Sequence, residues 1–225
     1  MIPLRDNVRP VKFPIINISL IIINAVIFLY QMSMGREDLL RFFYRYGVIP
    51  ERFFTLPIGL ALLETWLPFI MAIFLHGSWF HLLSNMLYLW VFGDNVEDRL
   101  GHLGYLLFYL AAGIAASLAH LFAHPTSPVP VIGASGAIAG ILGIYFILYP
   151  RAKVLTLIPI GFFITTARIS AKFFLIFWFF LQILNALFMA DASAQAVAWW
   201  AHIGGFVFGA SAGILFLLWK KAVSI

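Results

Sequence analysis

Cysteine is absent from this 225-residue sequence, and charged residues make up only 10% of it. The absence of cysteine excludes thiol catalysis and thiolate metal sites. The chain is 63% hydrophobic, whereas soluble domains are roughly 45 to 50% apolar and about 25% charged. A single soluble core of this size cannot bury so much apolar surface, so the composition predicts a protein whose solvent is a lipid bilayer.

The long apolar stretches predict an all-α membrane protein, folded as one domain over residues 1–225. Six of them reach or approach the roughly 20 apolar residues that a spanning helix needs. A long outer loop, residues 34–78, separates the first two, and its amphipathic stretches predict interfacial helices. Residues 154–170 are also apolar, but Pro159 and Gly161 favour a turn or a re-entrant segment. The six predicted helices lie at about residues 14–33, 79–96, 103–122, 135–149, 172–190 and 196–219.

The lysine and arginine residues sort to one side of this topology. Ten lie on the side of the N-terminus and four on the opposite side. Cytoplasmic loops carry an excess of these cations, so we expect both termini in the cytoplasm and the bundle in a cell membrane. Because these cations lie in short clusters between apolar runs, the net charge of +5 does not indicate a nucleic-acid partner. The ten are Arg5, Arg9, Lys12, Arg99, Arg151, Lys153, Arg168, Lys172, Lys220 and Lys221, and the four are Arg36, Arg41, Arg45 and Arg52.

Polar side chains inside a membrane span are costly and are functional by default. In the predicted topology, helices two, four and six all begin near the outer face. Their first turns therefore place several polar groups at one depth. The sequence predicts a functional site there, formed by His76, His81, Asn85, Ser135 and His202.

Ser135 stands between two glycines, in VIGASGAIAG, at the start of a short helix. From Ser135 to Pro150 there are about 15 helical positions, roughly 22 Å, against about 30 Å of hydrocarbon. This helix therefore begins below the outer surface. Its unpaired backbone N–H groups suit a developing oxyanion. The alternative interpretation is a helix-capping serine among packing glycines.

His202 lies about six residues into the last span, a depth near 9 Å that matches Ser135. If the two helices approach closely, His202 can take the hydroxyl proton and make Ser135 a nucleophile. Taken alone, His202 is also typical of a histidine bonded inside a bundle. Small residues that favour close approach are Gly205 and Gly209 on the last helix, and Gly136, Gly140 and Gly143 on the fourth.

His81 and Asn85 are spaced four residues apart and so project from one helix face, where their N–H donors could hold an oxyanion. No buried carboxylate lies at this depth, so a Ser–His dyad is favoured over a triad. His76 and His81, five apart, are poorly spaced as metal ligands. His120 and His124 are better spaced, but they are more typical of interfacial polar residues. We predict no metal and no cofactor.

Four segments, in this order, resemble the rhomboid family of intramembrane serine proteases, in its six-helix prokaryotic form. The resemblance implies Ser135 as nucleophile, His202 as base, and an oxyanion site from His81, Asn85 and the Ser135 backbone N–H. It also implies that Glu97 belongs to a structural network and that His76 lies at the cavity mouth. The segments are HGSWFHLLSNM at 76–86, GDNVEDRLG at 93–101, GASGAIAG at 133–140 and AHIGGFVFG at 201–209.

The implied activity is cleavage of transmembrane protein substrates through an acyl-enzyme, with entry from the lipid between helices two and five. The bulky run at residues 173–180 suits a gate. Two positions depart from the pattern of some members: Trp66 is followed by Leu67, and Ala139 replaces an aromatic residue that supports the histidine. The alternatives are a non-catalytic rhomboid-like binder of membrane proteins and a small metal or proton transporter.

Overall fold

The computed structural model describes residues 1–55, 62–161, 163–188 and 197–223, and most of them are helical. Three helices, α2 (Arg36–Tyr46), α3 (Pro50–Thr55) and α4 (Leu62–Met71), lie in the long connection that the sequence assigns to an outer loop. A 3-10 turn, Ala72–Phe74, follows α4. The longer helices of the bundle are α1 (Ile15–Met32), α5 (Trp79–Leu100), α6 (His102–Ala123), α7 (Ser135–Leu148), α8 (Ala171–Phe188) and α9 (Trp199–Val223).

The helical membrane bundle predicted from the sequence is confirmed. Within the described ranges, α1, α6, α8 and α9 are long and apolar enough to cross a membrane. Residues 66–74 and α5 qualify as a pair, bent by 89° at the break between them, and α7 has only 14 residues. The count of six spans stays a prediction. The predicted last residue of the fifth helix, 190, and the predicted first residue of the sixth, 196, lie outside the described residues.

The short helix α7 lies at the centre of the bundle, and its residues from Gly136 to Tyr145 are all buried. Glycines allow the backbone of α9 to pack directly against the backbone of α7. A Cβ on Gly205 would collide with the carbonyl oxygen of Gly136, and one on Gly209 with that of Gly140. Because these contact pairs ascend together along both helices, α7 and α9 run parallel.

A three-stranded antiparallel sheet is the feature that the sequence analysis did not predict. Strands β1 (Ile2–Asp6), β2 (Lys153–Ile160) and β3 (Phe163–Ser170) pair in the order β1-β2-β3. The interpretation of residues 154–170 as a turn or re-entrant segment is therefore wrong, because they form a β-hairpin. Gly161 lies between the strands with φ +59°, which glycine adopts without strain. We call this end of the bundle the sheet end.

The N-terminal strand is fastened to the sheet end by side chains. The Asp6 carboxylate accepts hydrogen bonds from the Tyr145 hydroxyl of α7 and from Asn95 Nδ2 of α5, the latter at 3.0 Å. The Asn7 side-chain oxygen accepts from the backbone N–H of Lys153 at 2.7 Å. These bonds join β1 to two helices and to β2, so the sheet and the bundle form one unit at this end.

Candidate active site

Ser135 is the first residue of α7, at the end of the bundle opposite the sheet. Ala134 occupies the cap position, and no side chain caps the helix. Ser135 is therefore not a capping residue, and the first N–H groups of α7 have neither intrahelical partners nor a side-chain acceptor. The preceding loop is held in place by a 2.8 Å hydrogen bond from the Gly133 N–H to the Ala72 carbonyl.

Because Gly133 has no side chain, the imidazole of His81 can lie next to the loop that leads into Ser135. The φ of Gly133, +122°, is a conformation that side-chain-bearing residues rarely adopt. A Cβ at this position would lie 2.6 Å from His81 Nε2 and 3.7 Å from Ser135 Oγ. The ring nitrogen and the hydroxyl therefore flank the same small volume, which a larger residue at 133 would fill.

His202 is buried in α9 between aromatic rings. The ring centroids of Trp178 and Trp199 lie 5.9 and 5.8 Å from that of His202. Its Nδ1 atom lies 2.8 Å from Gln182 Oε1 of α8. Its Nε2 atom is buried and has no hydrogen-bond partner within the described part of the chain. Ring support therefore comes from α8 and α9, not from α7, where residue 139 is alanine.

The nucleophile and base candidates lie beside one of the close backbone contacts between α7 and α9. Ser135 immediately precedes Gly136, whose carbonyl oxygen touches Gly205. His202 lies three residues before Gly205, about one helical turn away. Among the described residues, no hydrogen bond joins Ser135 Oγ and His202 Nε2. Such bonds are often loose in enzymes without substrate.

Asn85 is held by His76. Asn85 Nδ2 lies 3.0 Å from His76 Nε2, and the rings of His76 and His81 are 4.9 Å apart with an edge-to-face arrangement. An amide nitrogen carries two N–H donors, so one remains available after the contact with His76. The structure thus places Asn85 and His81 on one face of α5.

Sequence reasoning missed two buried amides that contact the predicted site histidines, Gln31 and Gln182. Gln31 of α1 fixes the His76 backbone, donating to its carbonyl at 2.9 Å and accepting from its N–H at 3.2 Å. Gln182 contacts the ring of His202. Both were detectable as strongly polar residues in apolar helices, the same signal that identified His81 and Asn85.

The other polar candidates lie apart from this cluster or lack the ligands for a metal. Glu97 is buried in the last turn of α5, toward the sheet end. The rings of His120 and His124 are 4.9 Å apart. In the ranges that the structure covers, no group of three or more histidine, aspartate or glutamate residues could hold a metal ion.

Comparison with known proteins identifies the family to which this chain is similar. A family model described as Rhomboid domain matches residues 63–219. Rhomboid-like protein 11, chloroplastic, of Arabidopsis thaliana is 36% identical over 102 residues, which cover 44% of this chain and 36% of that protein. Rhomboid protein 1, mitochondrial, of Saccharomyces cerevisiae is 33% identical over 119 residues, covering 51% and 32%. The presenilin-associated rhomboid-like protein, mitochondrial, of Mus musculus is 30% identical over 150 residues, covering 63% and 36%.

A bundle built around a short glycine-lined helix, matched to the Rhomboid domain over most of its length, defines the class of protein. The chain belongs to the rhomboid family. It aligns with about a third of the length of each of these relatives.

Proposed function

We propose that this protein is an intramembrane serine endopeptidase that cleaves transmembrane segments of other membrane proteins. The observation that carries the proposal is the buried, unpartnered Nε2 of His202, on a helix whose Ala201 packs against Gly136 at the uncapped start of α7. A buried ring nitrogen without a partner is costly unless a transient partner uses it. A serine hydroxyl that gives up its proton is such a partner.

In the proposed reaction, His202 Nε2 takes the proton of the Ser135 hydroxyl while Oγ attacks the carbonyl carbon of the scissile bond. The resulting oxyanion accepts hydrogen bonds from the Ser135 backbone N–H, from His81 and from the free N–H of Asn85. His202 then returns the proton to the leaving amine as the C–N bond breaks. Water attacks the acyl-enzyme with the same proton relay, which releases the second product and restores Ser135.

The substrates follow from the burial of the site inside a bundle whose outer face is apolar. We propose that the substrate is a membrane-spanning helix that unwinds at the site, since hydrolysis needs an extended backbone within reach of Ser135. The lysine and arginine distribution favours a cell membrane with the sheet end in the cytoplasm.

Labelling with a fluorophosphonate, which reacts with activated serines, tests the proposal in the purified protein reconstituted in liposomes. The wild type should be labelled and should cleave a transmembrane model substrate, and Ser135→Ala and His202→Ala should do neither. Ser19→Ala and His102→Ala are matched controls, because Ser19 bonds the Ile15 carbonyl of its own helix and His102 contacts Glu97 at the sheet end, away from Ser135. Absence of labelling in the folded wild type would instead support a non-catalytic binder of membrane proteins.

A further inference from the structure

Gln182 is a buried amide in one of the most apolar helices of the chain. It follows the run FFLIFWFFL in α8 and is only 6% exposed. An amide in such surroundings is costly unless both of its ends are hydrogen-bonded. Its Nε2 donates to the Trp178 carbonyl at 2.9 Å, and its Oε1 lies 2.8 Å from His202 Nδ1.

The bond to Trp178 fixes which way the amide of Gln182 faces. A backbone carbonyl only accepts, so the NH₂ group has to be the end that faces Trp178. The amide oxygen therefore faces His202. Because an oxygen of this kind cannot donate, His202 Nδ1 has to carry the proton in this contact.

The tautomer follows from this constraint. A neutral imidazole with its proton on Nδ1 has a lone pair on Nε2. Nε2 is the nitrogen that is buried without a partner, and Ala201, the residue before His202, packs against Gly136, the residue after Ser135. A hydrogen bond at one ring nitrogen thus determines the availability of the other for proton transfer.

We propose that Gln182 is a positioning residue that holds His202 in the Nδ1–H tautomer and aims its Nε2 lone pair toward Ser135. The inference rests on the proposed protease function. Gln182 acts through His202 and does not touch substrate. It performs the orienting part of the role that a carboxylate has in a Ser–His–Asp triad, without the charge that would stabilise the imidazolium.

Within the described ranges, no other group offers this control of the ring. Gln182 is the hydrogen-bond partner of His202 Nδ1. Trp178 and Trp199 pack on the imidazole at about 6 Å between centroids but make no hydrogen bond with it. They restrict where the ring lies, and the amide oxygen determines which nitrogen carries the proton.

The test measures the rate of fluorophosphonate labelling and the kcat and KM for a transmembrane model substrate. Gln182→Leu, close in volume but without an acceptor, should lower the labelling rate and kcat by about tenfold or more, because the ring can then adopt the other tautomer and rotate. KM should stay near the wild-type value. Gln182→Glu, which keeps an oxygen at this position, should retain most of the rate. Asn24→Leu is the matched control, since Asn24 makes the same kind of bond to the Leu20 carbonyl at 2.7 Å.

The outcomes separate this inference from the proposed function. If the folded wild type is not labelled at Ser135, the protease function fails and this inference with it. If the wild type is labelled and Gln182→Leu is labelled equally fast, only the role of Gln182 is overturned. If Gln182→Leu does not fold, Gln182→Asn decides, because its shorter side chain withdraws the oxygen. Equal rates for Gln182→Asn, Gln182→Glu and wild type would overturn the inference.

Discussion

The Glu97 carboxylate of α5 accepts a 2.7 Å hydrogen bond from the backbone N–H of Asn17 in the first turn of α1. Its other oxygen accepts from the Ile16 N–H at 2.9 Å. The cap position of α1 is Pro14, which offers no side-chain bond. Glu97 therefore satisfies two unpaired N–H groups and places a negative charge at the positive end of a helix.

Replacing Glu97 by glutamine should lower the free energy of unfolding by about 1 to 3 kcal/mol, because the amide keeps one acceptor but loses the charge. Thermal unfolding in detergent, followed by circular dichroism, measures the change. Asp98→Asn is the matched control, since Asp98 accepts one exposed bond from the Lys12 N–H. An equal loss in both variants would contradict a special role for Glu97.

The α7–α9 contact should not tolerate added volume. Gly205→Ala places a methyl group against the Gly136 carbonyl oxygen and should force the helices apart, at a cost of about 1 to 3 kcal/mol or more. The rate of fluorophosphonate labelling of Ser135 should fall together with the stability. In Gly104→Ala of α6, the new methyl meets only Leu100 at an ordinary 3.5 Å, and helix propensity should make this control about 0.5 to 1 kcal/mol more stable.

Alanine at position 133 should impair the site more than the fold. In Gly133→Ala, the methyl would press on His81 Nε2 at 2.6 Å, so the imidazole has to leave its place near Ser135. We expect the kcat for substrate cleavage to fall at least tenfold, in line with loss of one oxyanion donor.

Gly101→Ala separates backbone strain from this collision. Gly101 also has a positive φ, +76°, but no atom lies within 4 Å of its would-be Cβ. The Gly101→Ala variant should lose about 1 to 3 kcal/mol of stability with little change in kcat. If both variants lose kcat to the same degree, the steric argument for His81 is wrong.

The Asp6 carboxyl should make stability depend on pH. Burial raises its pKa above the ordinary 3.8, and the hydrogen bonds from Tyr145 and Val8 only partly oppose this. A group whose pKa is raised by folding stabilises the fold below its unfolded pKa and loses that contribution as the pH rises through its folded pKa. The melting temperature of Asp6→Asn relative to wild type should therefore rise between pH 4 and pH 7. A difference that is constant over this range would contradict the assignment.

The sequence was sufficient to predict the helical bundle, because a lipid bilayer requires long apolar helices and these are visible as long apolar runs. It also brought Ser135 and His202 into one hypothesis, since the glycines next to each marked a close helix contact. The hairpin was missed because a short apolar run has no period that separates a strand from a membrane segment. Gln31 and Gln182 were visible as polar residues in apolar helices, but their partners, 45 and 20 residues away in sequence, could not be predicted because three-dimensional packing alone sets them.

The attachment of α8 to the sheet gives this helix a fixed pivot. Its first residue, Ala171, directly follows β3 and donates to the Ala152 carbonyl at 2.8 Å, and Phe174, one turn later, packs against Phe92 of α5. Gln182 lies about 17 Å from Ala171 along the axis of α8. Under the proposed protease function, a sideways movement of α8 wide enough to admit a substrate would draw the amide oxygen of Gln182 away from His202. Substrate entry and the orientation of His202 for proton transfer would then exclude each other in time. Ser135 would have its oriented base again only after α8 has returned.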